Sequence, residues 1–246
     1  MSVRFVLGLV VIGCGLAASG AGAQTIVSLG SGFNTPAGVA VDGSGNVFVG
    51  DGGNNAVKEI VAVGGSVPAT NPTIKTLGGG FLFPAGVALD GGGNVFVADG
   101  GHNAVKEIVA VGGSIPATNP TIKILGSKFL FPAGVAVDGS GNVFVADTGH
   151  DAVKEIVAVG GSIPATNPTI KTLGSGFNLP AGVAVDGGGN VFVADTGNNA
   201  VKEIQAPPPP PPPVPVPTLG GSRLLLSALM LAGVGYLLTR RRMGIR

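Results

Sequence analysis

Short apolar runs alternate with glycine-rich turns along most of the chain, and the alternation returns with a period of 48 residues. In the third unit, Val143-Phe144-Val145-Ala146-Asp147 lies between two turn-forming clusters, Gly139-Ser140-Gly141-Asn142 and Thr148-Gly149-His150-Asp151. The run is rich in β-branched and aromatic residues and too short for a helix, so the pattern predicts a strand. By the same reading, 121–125, 134–138 and 152–159 are the other strands of that unit, and a long loop over 160–168 leads to the next. Thr25-Ile26, Thr73-Ile74, Thr121-Ile122 and Thr169-Ile170 open the four units, and Gly-Val-Ala-(Val/Leu)-Asp recurs from Gly38, Gly86, Gly134 and Gly182. Four short antiparallel strands with apolar residues on both faces cannot bury themselves alone, so stacked copies must supply the core. The expected fold is all-β, a β-propeller of four four-stranded blades.

The unit is similar to the NHL repeat. The matching residues are Pro180-Ala181-Gly182-Val183-Ala184-Val185-Asp186, then Gly189-Asn190-Val191-Phe192-Val193-Ala194-Asp195, then Thr196-Gly197-Asn198-Asn199. The resemblance covers the whole repeat region and implies a propeller, although NHL propellers usually carry more than four blades and shorter loops. The repeats begin with an outer-type strand at Thr25 and stop at Ile204 after the third strand of a blade. A closed ring is therefore expected, the first strand completing the last blade and hiding the open edges. The rival arrangement is an open four-blade arc that pairs with a second chain.

Outside the repeats the hydrophobic pattern changes. Arg4, an apolar run over 5–12 and the small residues Ala21-Gly22-Ala23 read as a signal peptide, residues 1–23, cleaved between Ala23 and Gln24. A lipobox-like Val11-Ile12-Gly13-Cys14 is the competing reading, with Cys14 as a lipidated N-terminus. Cys14 is the single cysteine. If cleavage falls after Ala23, the propeller region (24–206) stands without disulfides. Residues 207–218 hold seven consecutive prolines, a stiff polyproline II spacer, and a short motif. Residues 219–239 form an expected transmembrane helix in which Arg223 snorkels, and 240–246 a basic cytoplasmic tail.

This tail resembles bacterial sorting signals of the PEP-CTERM and IPTL-CTERM types, carried by Val216, Pro217, Thr218 and Leu219. It departs from the first by having Val216 where glutamate is expected, and from the second by lacking Ser-Glu-Trp after Thr218-Leu219. Gly220-Gly221-Ser222 is similar to the GlyGly-CTERM type, and which sorting system processes the tail stays open. The resemblance implies a Gram-negative-type bacterium, a membrane protease as partner, and a domain anchored at or released from the cell surface.

Charge narrows the partners further. All six arginines lie in the terminal segments, and the repeats carry eight lysines against thirteen acids, a net charge of about −5. An acidic domain without arginine is poorly suited to nucleic acid. All acids except Asp151 fall into three repeat classes. Asp42, Asp90, Asp138 and Asp186 precede a glycine-rich turn, and Asp51, Asp99, Asp147 and Asp195 end the third strand. Glu59, Glu107, Glu155 and Glu203 sit beside Lys58, Lys106, Lys154 and Lys202. The aspartates are expected to accept backbone N–H groups in turns, and the lysine–glutamate pairs to form a solvated face. Asp-Gly-Ser-Gly-Asn lacks the further acids of a calcium loop. His102 and His150 occupy equivalent positions of neighbouring units, but lack a third ligand for a metal.

No catalytic constellation stands out from the repeat, so neither an enzyme nor a cofactor is expected. Differences among the copies gather in two loops that emerge on one face, one preceding the inner strand and one following the third strand. Phe83, Phe131, His102, His150 and Asp151 mark that face as a possible binding surface. The expected function is an exported, non-catalytic binding or scaffold module at the envelope or matrix, with a protein, peptide or polysaccharide partner. The alternatives are a purely structural matrix protein and a lyase- or lactonase-type propeller with a channel metal, since some NHL-like propellers have such activities.

Overall fold

The structure is a computed structural model that describes residues 25–208 and 211–212. The chain divides into two units, Met1–Ala206 and Pro207–Arg246, and the described fold lies in the first. The expected signal segment with its Ala23/Gln24 junction, the motif Val216–Leu219, the transmembrane helix 219–239 and the basic tail lie outside the described residues. Among the described residues no helix is long and apolar enough to cross a membrane.

The repeats fold into four antiparallel sheets, the blades of a propeller. Blade one holds β1 (Pro36–Val41), β2 (Val47–Asp51), β3 (Ala56–Ile60) and β4 (Ile74–Thr76). Blade two holds β5 (Pro84–Leu89), β6 (Val95–Asp99), β7 (Ala104–Ile108) and β8 (Ile122–Gly126). Blade three holds β9 (Pro132–Val137), β10 (Val143–Asp147), β11 (Ala152–Ile156) and β12 (Ile170–Leu173). Blade four has three strands, β13 (Pro180–Val185), β14 (Val191–Asp195) and β15 (Ala200–Ile204). Each outer strand (β4, β8, β12) comes from the start of the following repeat, and among the described residues no such strand follows β15.

Strand alternation puts one apolar set on each side of a sheet, and both sets are used. Phe48 and Val57 of blade one pack against Val87, Val95, Val97 and Ile108 of blade two. Phe96 and Val105 of blade two meet Val135, Val143, Val145 and Ile156 of blade three. Phe144 and Val153 repeat the arrangement against Val183, Val191, Val193 and Ile204. Each buried side chain of this kind contributes about 1.5–3 kcal/mol, so the junctions hold the arc together. The inner strands touch backbone to backbone. A Cβ on Gly86 would lie 2.6 Å from the Ala133 carbonyl oxygen, and one on Gly134 2.5 Å from that of Ala181. Glycine is required there because any side chain would separate the blades.

The ring is not closed, contrary to the expectation from the sequence. Residues 25–30 belong to no strand, and Ile26 is 98% exposed. A Cβ on Gly182 would meet only Ala194 of its own blade. Among the described residues, blade four therefore ends the arc and the outer edge of β15 is unpaired. One smaller expectation is also corrected. The strand expected over 152–159 is β11 and stops at Ile156; the Val157 N–H still donates to the Thr169 carbonyl at 2.9 Å, and the Val159 N–H donates to the Ser162 carbonyl at 2.8 Å. The turn expected over 148–151 is present after β10 as a single 3₁₀ turn, Thr148–His150, closed by Asp151 in the left-handed region (φ 51°).

Candidate functional site

The four aspartates that end β2, β6, β10 and β14 are fully buried and hold each blade's upper loops together. Asp147 Oδ1 accepts the Leu130 N–H at 2.7 Å, while Oδ2 lies 2.5 Å from Lys154 Nζ and 2.8 Å from His150 Nδ1. Asp51, Asp99 and Asp195 repeat the pattern with Lys58, Lys106 and Lys202 at 2.5–2.6 Å. Each ammonium also lies over a ring, Lys154 5.3 Å from the centroid of Phe129 and Lys58 4.9 Å from that of Phe33. These lysines are thus not the solvated face expected from the sequence. They neutralise buried carboxylates on the adjacent strand, seven residues earlier in the chain. The glutamates beside them pair instead with the outer strand, Lys75–Glu59 and Lys171–Glu155 at 3.4 and 3.5 Å.

Burial pushes the Asp195 carboxyl up, but the Asn178 N–H, Lys202 and Asn198 outweigh it and hold it at about 2. Asp51 is likewise lowered: burial raises it, and Lys58, Asn54 and the Asn34 N–H more than compensate. The other aspartate class behaves as the sequence suggests. Asp138 Oδ1 accepts the N–H groups of Ser140 and Asn142, and its Oδ2 accepts Asn142 Nδ2 at 2.8 Å. Asn142 Oδ1 in turn accepts the Ala158 N–H, which ties the turn to the end of the next strand.

The two variable loops do meet on one face. In blade two the Gly101 N–H donates to the Leu82 carbonyl, and in blade three Gly149 donates to Leu130, both at 2.8 Å. Neighbouring blades are joined along the same line. Asn103 Oδ1 accepts the Phe131 N–H at 2.8 Å, and Asn55 Oδ1 accepts that of Phe83 at 2.9 Å. Asp151 Oδ1 accepts the Leu179 N–H at 2.7 Å, so Asp151 is an inter-blade link. It replaces an asparagine in a role that needs only an acceptor.

Along this line Phe83 and Phe131 stand 60% and 61% exposed, each with positive φ (48° and 47°). A bulky residue in the left-handed region is strained, and the inter-blade hydrogen bond holds it there. His102 and His150 lie in the adjoining 3₁₀ turns, each with Nδ1 turned to its own buried aspartate, at 2.9 and 2.8 Å. Those contacts select the Nδ1–H tautomer when the imidazole is neutral and leave Nε2 free as an acceptor. Leu179, half exposed in the equivalent loop of blade four, continues the ridge. Sequence reasoning missed it, although its alignment with Phe83 and Phe131 was there to be read.

A second concavity of about 410 Å³ runs along the inner strands and is lined only by the Ala-Gly-Val triplets of β1, β5, β9 and β13. Those residues offer backbone groups and small apolar side chains. Among the described residues, no three His, Cys, Asp or Glu side chains converge as a metal-holding group.

Comparison with known families matches the NHL repeat at residues 33–60, 81–108, 129–155 and 177–204, one match per blade. The chain is an NHL-repeat β-propeller. A comparison with curated proteins returns no match. Among solved structures, a catalytically inactive virginiamycin B lyase from Staphylococcus aureus with quinupristin shares 13% identity over 69% of this chain and 55% of that chain, with a TM-score of 0.47. A streptogramin B lyase shares 13% over 70% and 55%, at 0.49. A nidogen/laminin complex shares 18% over 70% of this chain and 65% of that chain, at 0.48. The chain thus spans about half the length of the lyases it matches.

Proposed function

We propose that this chain is an exported, non-catalytic NHL propeller that binds an envelope or matrix partner through the ridge of exposed loops on blades two to four. The observation that carries the reading is the pair of exposed phenylalanines, held in left-handed conformation on neighbouring blades and flanked by His102 and His150. An exposed aromatic costs apolar hydration, and interface anchors are drawn from such residues. The aspartates available for acid–base work are instead committed to turns and buried ion pairs. The free Nε2 atoms and the aromatic rings suit a partner that offers hydroxyl or amide donors beside an apolar surface, as a protein, a peptide or a polysaccharide does. Export and surface sorting rest on the terminal sequence patterns.

The test replaces Phe83 and Phe131 with Thr, the residue that blade one carries at this place, and His102 and His150 with Asn. Binding of immobilised protein to purified envelope polysaccharide and to solubilised envelope proteins is then measured in separate arms. One arm should lose at least about tenfold in affinity, the equivalent of roughly 1.4 kcal/mol. Equal binding by wild type and the fourfold variant in both arms, or binding by neither, would overturn the reading.

A further inference from the structure

The three junctions inside the arc use one set of groups, and the two halves of that set are left over at its ends. Blade three inserts Phe144 and Val153 into blade four. Blade four presents the same pair as Phe192 and Val201, 37% and 79% exposed. Blade one presents the receiving surface. Val39, 66% exposed, lines a depression of about 330 Å³ with Val47 and the buried Val49 and Ile60, at the positions of Val183, Val191, Val193 and Ile204; Ser28, Leu29 and Gly30 line it as well.

Polar groups repeat the match. The Asp151–Leu179 link has its counterparts in Asn199 Oδ1 and the Thr35 N–H, and among the described residues neither has that partner. Thr148 Oγ1 donates to the Pro180 carbonyl at 2.7 Å, whereas Thr196 has no following blade to reach. Each copy also carries a strand that fits this edge. In blade one, β3 pairs β4 with Lys58 opposite Thr76, Glu59 opposite Lys75 and Ile60 opposite Ile74. The same register in blade four would put Ser28, Val27 and Ile26 opposite Lys202, Glu203 and Ile204.

We infer that a second copy of this chain docks head to tail. Blade four of one copy packs on blade one of the next, and residues 26–28 of that second copy form the outer strand on β15. The contact is heterologous, with different surfaces on the two copies, so each copy can both give and receive. A dimer with two such junctions is the smallest assembly that satisfies both ends. This inference is independent of the loop ridge, because Phe192, Val201 and Val39 lie on the blade faces.

Sedimentation of the purified full chain tests it with two single variants, Val201→Lys on the donating face and Val39→Lys on the receiving face. Wild type should sediment with at least twice the monomer mass, and each variant alone as a monomer. An equimolar mixture of the two variants should form a 1:1 complex, since one intact donor face and one intact receiver face remain. Phe83→Thr should leave the mass of wild type unchanged. A monomeric wild type, variants that assemble like wild type, or a mixture that stays monomeric would each overturn the inference.

Discussion

Two lysines of blade three should differ sharply in what they contribute to stability. Lys154 and Lys171 each pair with an acid, Lys154 with Asp147 at 2.5 Å and Lys171 with Glu155 at 3.5 Å. The surroundings separate them. Asp147 is fully buried and the Lys154 side chain is 14% exposed, whereas that of Lys171 is 55% exposed. Lys154→Met keeps the aliphatic stem and removes the ammonium, leaving Asp147 with the Leu130 N–H and His150 but no lysine. Breaking a buried pair from one side costs about 3–5 kcal/mol. The lost cation–π contact over Phe129 adds roughly 0.5–1 kcal/mol. The two surviving hydrogen bonds to Asp147 keep the total near the lower end, about 3 kcal/mol. Lys171→Met removes a half-exposed partner and should cost less than about 1 kcal/mol. Urea unfolding followed by far-ultraviolet circular dichroism, with slopes checked for equality, measures both. Midpoints lowered equally by the two substitutions would refute the reasoning, because it rests on the burial of Asp147.

Three further outcomes follow from the same geometry. Gly86→Ala, whose Cβ would meet the Ala133 carbonyl at 2.6 Å, should cost about 1–3 kcal/mol in the same assay, while Gly182→Ala should cost much less in dilute protein. Val153→Ala should cost about 2 kcal/mol by lost burial and cavity, against less than about 0.5 for Val201→Ala at concentrations where the protein is monomeric. Asp195 is held at about 2, below its ordinary value of 3.8, so its contribution is complete above about pH 4 and lost as pH falls toward 2. Acid titration of wild type should therefore show a steeper loss over that window than Asp195→Asn.

Much of the fold was legible because the unit repeats and its strands are short, apolar and bounded by glycine. The turn aspartates were legible for a similar reason, since Asp138 and Asn142 sit four residues apart in one turn. The lysines were not. Lys154 is next to Glu155 in sequence, but strand alternation sends the two side chains to opposite faces. With Val145 opposite Lys154 in the β10–β11 register, Asp147 lies diagonally on the lysine's side. A constant offset of seven residues between aspartate and lysine in every unit was the available signal. Asp151 misled for the opposite reason: a change of residue type looked like a new function, while the position kept its role as an acceptor. Ring closure depended on how far four blades curve, which is set by the backbone approach at Gly86 and Gly134 and leaves no trace in composition.

Hydrogen exchange at the β15 edge tests the open arc and its completion by a second copy most directly. The amides of Glu203 and Gln205 correspond to those of Glu59 and Val61, which β4 and the adjoining Thr73 cover in blade one. In the assembled protein they should exchange as slowly as Glu107 and Val109, their counterparts in blade two, and in the Val201→Lys monomer they should exchange rapidly. Slow exchange in both would mean that the chain's own first strand closes the ring. Rapid exchange in both would mean that no second copy covers the edge, and either result would contradict the account.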